Sequence, residues 1–321
     1  MILQRQVQQA RQGEVPLGEH GRRALEPITC VGHLDSDMYG VVTRNEEELS
    51  WAEFDRAFFE MKDVTGRATE PVAGAVNMIS CFGDNAAAEG NPDVVPVSAD
   101  GERATRERPY FDWDYVCPTH EEYRAGILEM IEDAAAANED VRLDDVGFPR
   151  QEYCHCERCT RRFEASEFDD RQAWRTNLIT EFVREARERV PGRLYMTLYP
   201  DPYPGHLERR SGIDVDALSE YVDEFVVPVY DMAYETTYWI EVIASGFEDR
   251  LPVPFSIELY AINIDVDNLI HATEVAEAYG TAVLFGYEAG TARAAIRRRR
   301  AEERDGVSHG PDSDAGDDSA T

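Results

Sequence analysis

Eight short apolar blocks, separated by stretches with helical periodicity, restrict the folds that this chain can adopt. Several blocks are continuous apolar runs without alternation, which is typical of strands buried on both faces of a parallel sheet. The predicted strands occupy residues 28–33, 74–80, 93–97, 141–148, 193–199, 224–230, 253–260 and 281–287.

Helical patterns fill the intervals between these blocks. Thr119 and Glu122 form a capping box, which is the signature of a helix N-terminus, and Asp267 is placed to cap a later helix. The clearest pattern has apolar residues at intervals of four before Val190 and consists of Trp174, Leu178, Phe182 and Ala186. Shorter helices are predicted at 214–222, 236–245 and 267–279.

This alternation predicts a (β/α)8 barrel of the TIM type rather than a doubly wound sheet. No glycine-rich phosphate loop follows the first predicted strand, which weighs against a dinucleotide-binding domain. Residues 83–110 contain no clear second helix, so we expect the barrel to be irregular around its second and third strands. The predicted organisation is an N-terminal extension at 1–26, the barrel domain at 27–299 and a disordered acidic tail at 300–321.

The charge of the chain is strongly negative and is spread along its length. There are 64 acidic residues against 32 basic ones, a formal net charge of −32, and Lys62 is the only lysine. This charge argues against a nucleic-acid partner and predicts a halophilic protein whose surface repulsion is screened by concentrated salt. It does not exclude a homo-oligomer.

Neither a signal-peptide run in the first 26 residues nor an apolar stretch long enough to cross a membrane is visible in the sequence. We therefore expect a cytoplasmic protein with no membrane partner. In a reducing compartment, clustered cysteines are more often metal ligands than disulfides.

Three of the six cysteines lie within "EYCHCERC", at Cys154, Cys156 and Cys159. A tetrahedral zinc ion needs a fourth ligand, and Cys117 in "DYVCPTH" is the first candidate, with His155 and His120 as alternatives. Four thiolates leave no open coordination position, so we expect a structural zinc site. Unligated thiols and an iron–sulfur cluster are the other interpretations, although the spacing fits neither of the usual iron–sulfur patterns.

The segment "YCHCERCTRRF", with a lone cysteine upstream at "CP", resembles the C…C-x-C-x-x-C zinc element of family 42 β-galactosidases, which are (β/α)8 barrels. The stretches "YVCPTHEEYR", "LDDVGFPRQEYC" and "VVPVYD" are also similar to uncharacterised hydrolase-like barrels of halophilic archaea. The resemblance covers about residues 92–232 and implies zinc ligands at Cys117, Cys154, Cys156 and Cys159. It implies no catalytic pair, because "DDVGFP" stands where those β-galactosidases carry an Asn-Glu acid/base.

Polar side chains follow most of the predicted strands, and in a (β/α)8 barrel the carboxyl ends of the strands form the active-site mouth. Asp144 and Asp145 end the fourth strand, and only one of two adjacent residues can face the axis. We favour Asp144 because of its spacing to Pro149 and its similarity to the aspartate of the uncharacterised hydrolase-like barrels. Glu258 interrupts the apolar run of the seventh strand, where a buried carboxylate needs a partner. The candidate substrate-binding residues are His33, Asp35, Tyr199, Tyr230, Asp231, Tyr260 and Glu288.

Carboxylates combined with aromatic rings are typical of glycoside hydrolysis, which uses two carboxyl groups flanking the scissile bond. We predict a retaining hydrolase of a small glycoside or oligosaccharide, with Asp144 as acid/base and Glu258 as nucleophile, where Asp231 or Glu288 could replace either. Two alternatives stay open. One is a metal-dependent barrel enzyme, such as a sugar isomerase, with Glu258, Asp231, Glu288 and His33 as ligands. The other is a non-catalytic carbohydrate-binding barrel.

Overall fold

Eight parallel strands form a closed barrel in the computed structural model, which describes residues 39–305. The strand order follows the sequence, and the last strand pairs with the first. The (β/α)8 prediction is therefore confirmed. The strands are β1 (Tyr39–Thr43), β2 (Arg56–Lys62), β3 (Val76–Ser80), β4 (Val141–Asp144), β5 (Leu194–Thr197), β6 (Glu224–Pro228), β7 (Phe255–Tyr260) and β8 (Val283–Gly286).

Helices cover the outside of this barrel. Two short 3-10 helices, at Glu46–Ser50 and Pro92–Val94, lie in the loops after β1 and β3. The α-helices are α1 (Asn85–Gly90), α2 (Glu121–Ala137), α3 (Glu157–Glu164), α4 (Arg171–Arg187), α5 (His206–Ser211), α6 (Val215–Leu218), α7 (Tyr238–Glu248), α8 (Val266–Glu277) and α9 (Ala289–Asp305). Among the residues described, none of these helices is both long and apolar enough to cross a membrane.

The first part of the barrel differs from the sequence prediction. The strand predicted at 93–97 is wrong, because Pro92–Val94 forms a 3-10 helix, and Val94 and Val95 pack with Ala88 and Val116. The strand predicted at 28–33 lies outside the described residues. The first two strands of the barrel are instead β1 and β2. The expected irregularity is present as a register shift between Glu60 and Lys62 in the β2–β3 ladder.

Two helix starts also differ from the sequence prediction. His120, not Thr119, caps α2, with its side chain accepting the backbone N–H of Tyr123, and the Thr119 hydroxyl points to the cysteines instead. Asp265, not Asp267, caps α8. Helix α9 continues to Asp305, beyond residue 300, where the sequence predicts the tail to begin.

The interior of the barrel is filled by the alternate residues of each strand, and several of these are charged. On the amino-terminal side, Glu224 is 1% exposed and receives hydrogen bonds from Arg56 at 3.0 Å and from Arg193 at 3.0 Å. A small residue is needed at Gly40, where a Cβ would lie 2.4 Å from Leu284 Cδ2. Towards the carboxyl ends of the strands, the barrel interior contains more polar side chains, including Glu60, Arg142 and Asp144.

Candidate active site and cysteine cluster

A cavity of about 820 Å³ opens at the carboxyl ends of the strands. Its volume lies within the range of small-molecule sites, and its wall combines aromatic rings with carboxylates and arginines. The aromatic part comprises Tyr110, Phe111, Trp113, Tyr115, Phe148, Tyr199, Tyr230, Tyr260 and Tyr287. The charged part comprises Arg44, Glu48, Glu60, Asp112, Arg142, Asp144, Asp145 and Arg210.

Asp144, the last residue of β4, and Asp145, which follows it, both line the cavity. The orientation of their side chains alone therefore does not show which one acts on a substrate. Asp144 faces the barrel interior in register with Ser80, and its Oδ1 accepts the backbone N–H of Asp145 at 3.0 Å. Asp145 has a φ of +50°, and its Oδ2 accepts the Ser80 hydroxyl at 2.6 Å. Burial, with the nearby charge of Asp144, raises the pKa of Asp145 to about 8. Asp145 therefore holds a proton more strongly than an ordinary aspartate does.

Glu258 lies behind the cavity wall. Its side chain is fully buried, its Oε2 is 2.6 Å from Nη2 of Arg142, and its Oε1 accepts the hydroxyl of Tyr230. Arg142 is only 1% exposed, and its Nε also donates to the Thr197 hydroxyl at 3.0 Å. A buried carboxylate needs a partner for its charge, and the partner of Glu258 is Arg142 on β4.

Sequence reasoning missed a third carboxylate at this site. Glu60 on β2 is 6% exposed, lines the cavity and accepts a hydrogen bond from Nε of Arg44. Burial raises its pKa, and the nearby charge of Asp144 acts in the same direction. The signal was present in "RAFFEMK", where Glu60 breaks an apolar segment in the same way as Glu258.

A tyrosine with unusual backbone geometry completes the wall. Tyr287 follows β8 with a φ of +72°, a region that bulky residues rarely adopt. Burial and the charges of Glu258 and Glu60 raise its pKa well above the ordinary value. Backbone outliers of this kind concentrate at functional sites, and Asp145 shares both the outlier geometry and the cavity.

The remaining predicted substrate-binding residues divide into three groups. Tyr199, Tyr230 and Tyr260 line the cavity. Asp231 and Glu288 do not line it, because Asp231 accepts the backbone N–H groups of Ala233 and Tyr234, and Glu288 accepts that of Asn263. His33 and Asp35 lie outside the described residues.

A tight cluster of four cysteines lies beside the cavity. The sulfur atoms of Cys117, Cys154, Cys156 and Cys159 are all within 4.8 Å of one another, and Cys117 and Cys159 are 3.3 Å apart. Four zinc-bound thiolates, with Zn–S bonds of about 2.3 Å, would place their sulfurs about 3.8 Å apart. The donor set therefore fits a metal ion. In the part of the chain that the structure describes, it is the only such group of three or more candidate ligands.

Polar contacts surround these sulfurs. The Thr119 hydroxyl lies 3.1 Å from the sulfurs of both Cys117 and Cys159, and the backbone N–H of Val97 donates to Cys154 Sγ at 3.4 Å. His120 and His155, the alternative ligands, are not members of the group. Hydrogen bonds from the neighbouring thiols, Cys117 first, lower the pKa of Cys156, which favours a thiolate in the cluster.

The cluster is connected to the cavity through the long loop between β3 and α2. The backbone N–H of Cys117 donates to Val94 O at 2.8 Å, and that of His155 donates to Val97 O at 2.6 Å. The same loop carries Tyr110 to Tyr115, and the ring of Phe111 lies 5.8 Å from that of Tyr153, next to Cys154. The four cysteines thus join the loops after β3 and β4, which form one side of the cavity.

This architecture defines a (β/α)8 barrel with its candidate site at the usual mouth. The α-L-fucosidase isoenzyme 2 from Paenibacillus thiaminolyticus is similar in structure, with a TM-score of 0.62 and 14% identity over 84% of this chain and 50% of the fucosidase. At this identity the likeness shows the fold, and this chain spans about half the length of that enzyme.

Two further barrels are more distant. The α-galactosidase AgaA from Geobacillus stearothermophilus has a TM-score of 0.48 and 12% identity over 84% of this chain and 42% of its own. An exo-β-N-acetylglucosaminidase from Vibrio harveyi has a TM-score of 0.46 and 9% identity over 78% of this chain and 50% of its own. No protein-family model and no curated protein matches the chain. The resemblance to family 42 β-galactosidases stays a prediction.

Proposed function

We propose that this protein is a retaining glycoside hydrolase that acts on a small glycoside or oligosaccharide. The observation that carries the proposal is one cavity wall in which aromatic rings stand beside carboxyl groups held in contrasting environments. Aromatic faces stack on sugar rings, and glycosidic cleavage needs one carboxyl group that gives a proton and a second group on the opposite side of the anomeric carbon.

The roles follow from position. Asp144 lies in the cavity at the end of β4 and acts as acid/base on the glycosidic oxygen. Glu258 on β7, behind the cavity wall, provides the second carboxylate, and Arg142 and Tyr230 fix its orientation through both of its oxygens. Asp145, whose pKa burial raises to about 8, lies beside Asp144 and supports it through the hydrogen bond from its backbone N–H to Asp144 Oδ1.

The size and shape of the cavity suit a short sugar chain. A volume of about 820 Å³ is large enough for a disaccharide with its aglycone and is typical of small-molecule sites. The exposed ring of Tyr199, with the guanidinium of Arg210 3.9 Å from its centroid, and the indole of Trp113 offer stacking surfaces near the rim.

The cysteine cluster is proposed as a structural zinc site. Four thiolates would occupy every position of a tetrahedral ion, which leaves none for water or substrate. The cysteines also lie outside the cavity wall. Zinc would hold the loops after β3 and β4 together and so preserve the aromatic side of the cavity, without taking part in bond cleavage.

The test is hydrolysis of a panel of α- and β-linked aryl glycosides in concentrated potassium chloride, with the metal content of each preparation measured. The variants are Asp144→Asn and Glu258→Gln. Glu241→Gln is the matched control, because Glu241 also accepts a tyrosine hydroxyl, that of Tyr279, but on the outer surface. We expect both site variants to lose at least about a thousandfold in kcat/KM, while the control and the zinc content stay unchanged.

Two results would contradict the proposal. Absence of turnover on every glycoside would favour a non-catalytic barrel. Activity that disappears with a chelator while the cysteine-bound zinc is retained would favour a metal-dependent enzyme.

A further inference from the structure

Tyr230 stands between Glu258 and the cavity. Glu258 is fully buried, whereas Tyr230 is 42% exposed as a residue and forms part of the cavity wall. The phenol hydroxyl donates to Glu258 Oε1, and Arg142 Nη2 lies 2.6 Å from Oε2. A carboxylate with both oxygens engaged and no exposed surface cannot reach an anomeric carbon unless these contacts break.

We propose that Tyr230 is the nucleophile of this site and that Glu258 is the general base that activates it; this inference rests on the proposed glycosidase function. Tyrosine forms covalent intermediates in enzymes, and a weak hydroxyl nucleophile requires an adjacent base. Some glycoside hydrolases use a tyrosine in place of the carboxylate nucleophile. Here the hydroxyl and its base are already hydrogen-bonded.

The reaction balances with the side chains present. In the first step, the Tyr230 oxygen bonds to the anomeric carbon and the bond to the leaving oxygen breaks. Glu258 takes the phenol proton, and Asp144, which enters the reaction in its protonated form, gives that proton to the leaving oxygen and becomes the carboxylate. In the second step, water attacks the anomeric carbon, Asp144 takes a proton from that water, and Tyr230 leaves and recovers its proton from Glu258.

The location of Arg142 suits this transfer of charge. In the first step the negative charge moves from Glu258 to Asp144, and Arg142 interacts with both carboxylates. A single buried cation therefore balances the charge before and after the step. Burial and the charge of Glu258 raise the pKa of Tyr230 well above its ordinary value, so the phenol keeps its proton until the base removes it.

The space beside the hydroxyl is also consistent with this role. Gly286 on β8 borders both groups, and a Cβ there would lie 3.2 Å from Glu258 Oε1 and 3.5 Å from the Tyr230 hydroxyl oxygen. Tyr260 packs against Tyr230, with their ring centroids 5.3 Å apart. These neighbours support the position in which the phenol hydroxyl donates to Glu258.

The experiment uses whichever aryl glycoside of the panel is hydrolysed, together with the 2-deoxy-2-fluoro derivative of the same sugar bearing an activated leaving group. That derivative should form a glycosyl–enzyme that hydrolyses slowly, and peptide mass spectrometry locates the sugar. The kinetic variants are Tyr230→Phe and Tyr279→Phe. The second removes a phenol that donates to Glu241 at 3.3 Å on the outer surface and should leave activity unchanged.

We expect the label on Tyr230 and a loss of at least about a thousandfold in kcat for Tyr230→Phe, with circular dichroism unchanged. If Tyr230 only positions Glu258, the variant should lose about tenfold, which corresponds to one hydrogen bond. A label on Glu258, or a loss of only about tenfold, would overturn the role of Tyr230 while leaving the glycosidase proposal intact. Absence of hydrolysis by the wild type on every glycoside would reject both proposals.

Discussion

Replacing Arg142 with methionine should destabilise this barrel far more than a typical substitution. Arg142 is 1% exposed and its partner Glu258 is fully buried, with Nη2 and Oε2 2.6 Å apart. Methionine follows much of the arginine stem, so the volume of the side chain is largely kept and the charge is what is removed. Glu258 would be left as a buried carboxylate without a cation.

The magnitude follows from the contacts. Removing one partner of a buried ion pair costs about 3–5 kcal/mol. The hydrogen bond from Arg142 to Thr197, 3.0 Å long, adds on the order of 1 kcal/mol. The guanidinium carbon lies 5.4 Å from the centroid of the Phe58 ring, a contact worth up to about 1 kcal/mol. Because contributions that share one side chain are not additive, we expect a total loss of about 4 kcal/mol.

A second substitution tests whether the loss of stability comes from the uncompensated charge of Glu258. In Arg142→Met with Glu258→Gln, the buried charge is gone from both partners, so no uncompensated carboxylate is left. The double variant should therefore be more stable than Arg142→Met alone, by about 2 kcal/mol. Glu258→Gln alone should also be destabilising, because it leaves the guanidinium buried beside a neutral amide.

The assay is urea unfolding followed by tryptophan fluorescence, at one fixed concentration of potassium chloride for all four proteins. The free energies of unfolding form a double-mutant cycle whose coupling term we expect to be about 3 kcal/mol. The reasoning is refuted if Arg142→Met costs less than about 1 kcal/mol, or if the double variant is less stable than Arg142→Met. Either result would mean that solvent reaches Glu258.

Three further predictions concern the metal, the protonated aspartate and the salt. Cys156→Ser removes one of four thiolates, so metal content measured by plasma mass spectrometry should fall below one ion per chain and the melting temperature should drop; unchanged metal content would exclude Cys156 as a ligand. The folded protein holds a proton on Asp145 up to a pKa of about 8, whereas the unfolded chain releases it near an ordinary value of about 3.9. Because of this proton, the free energy of unfolding of the wild type should fall as pH rises from about 4 to 8. The stability of Asp145→Asn relative to wild type should therefore increase over that range. Parallel pH profiles for the two proteins would contradict this. Finally, the 64 acidic residues should make the melting temperature rise between about 0.1 M and about 2 M potassium chloride, and a fall would remove the halophilic interpretation.

The second half of the barrel could be predicted from the sequence because its strands bury apolar residues on both faces. β4 to β8 fall within the predicted blocks, and α4 follows the spacing of its apolar residues. β2 could not be found in this way. Three of its seven residues, Arg56, Glu60 and Lys62, are charged, so the sequence of this strand does not form an apolar block. Pairing with carboxylates and carbonyl groups inside the fold, which the sequence does not show, makes their burial tolerable.

The strand predicted at 93–97 shows the opposite error. Val94 and Val95 are buried, but against α1 and the Val116 segment rather than in the sheet. Pro92 and Pro96 lack the N–H groups that a ladder needs, and Asn91 caps a 3-10 turn. An apolar run in the sequence therefore indicates that the segment is buried, but not which element it packs against. The prediction that Thr119 caps a helix was wrong for a similar reason. A threonine hydroxyl can cap a helix or contact a thiol, and here it lies next to the Cys117 sulfur.

Four of the predicted site residues line the cavity, and their roles stay predictions. Asp144, Tyr199, Tyr230 and Tyr260 lie at the mouth because parallel strands bring their carboxyl ends together. Position alone could not separate these residues from Asp231, whose carboxylate accepts backbone N–H groups of its own turn. Nor could it show that Glu258 faces Arg142 and Tyr230 rather than the cavity, since that depends on the register of three strands.

The interior carboxylates of the barrel fall into two groups that differ in their partners. Glu224, Glu258 and Glu60 each contact an arginine, so their charge is balanced within the fold. Asp144 and Asp145 line the cavity, and their carboxyl groups accept hydrogen bonds from the Asp145 backbone N–H and from the Ser80 hydroxyl. A carboxylate paired with a cation takes a proton less readily than one held by hydrogen bonds alone. Proton transfer to the leaving oxygen and from water is therefore expected at the end of β4, whereas Glu258 exchanges a proton only with the Tyr230 hydroxyl, which already donates to it.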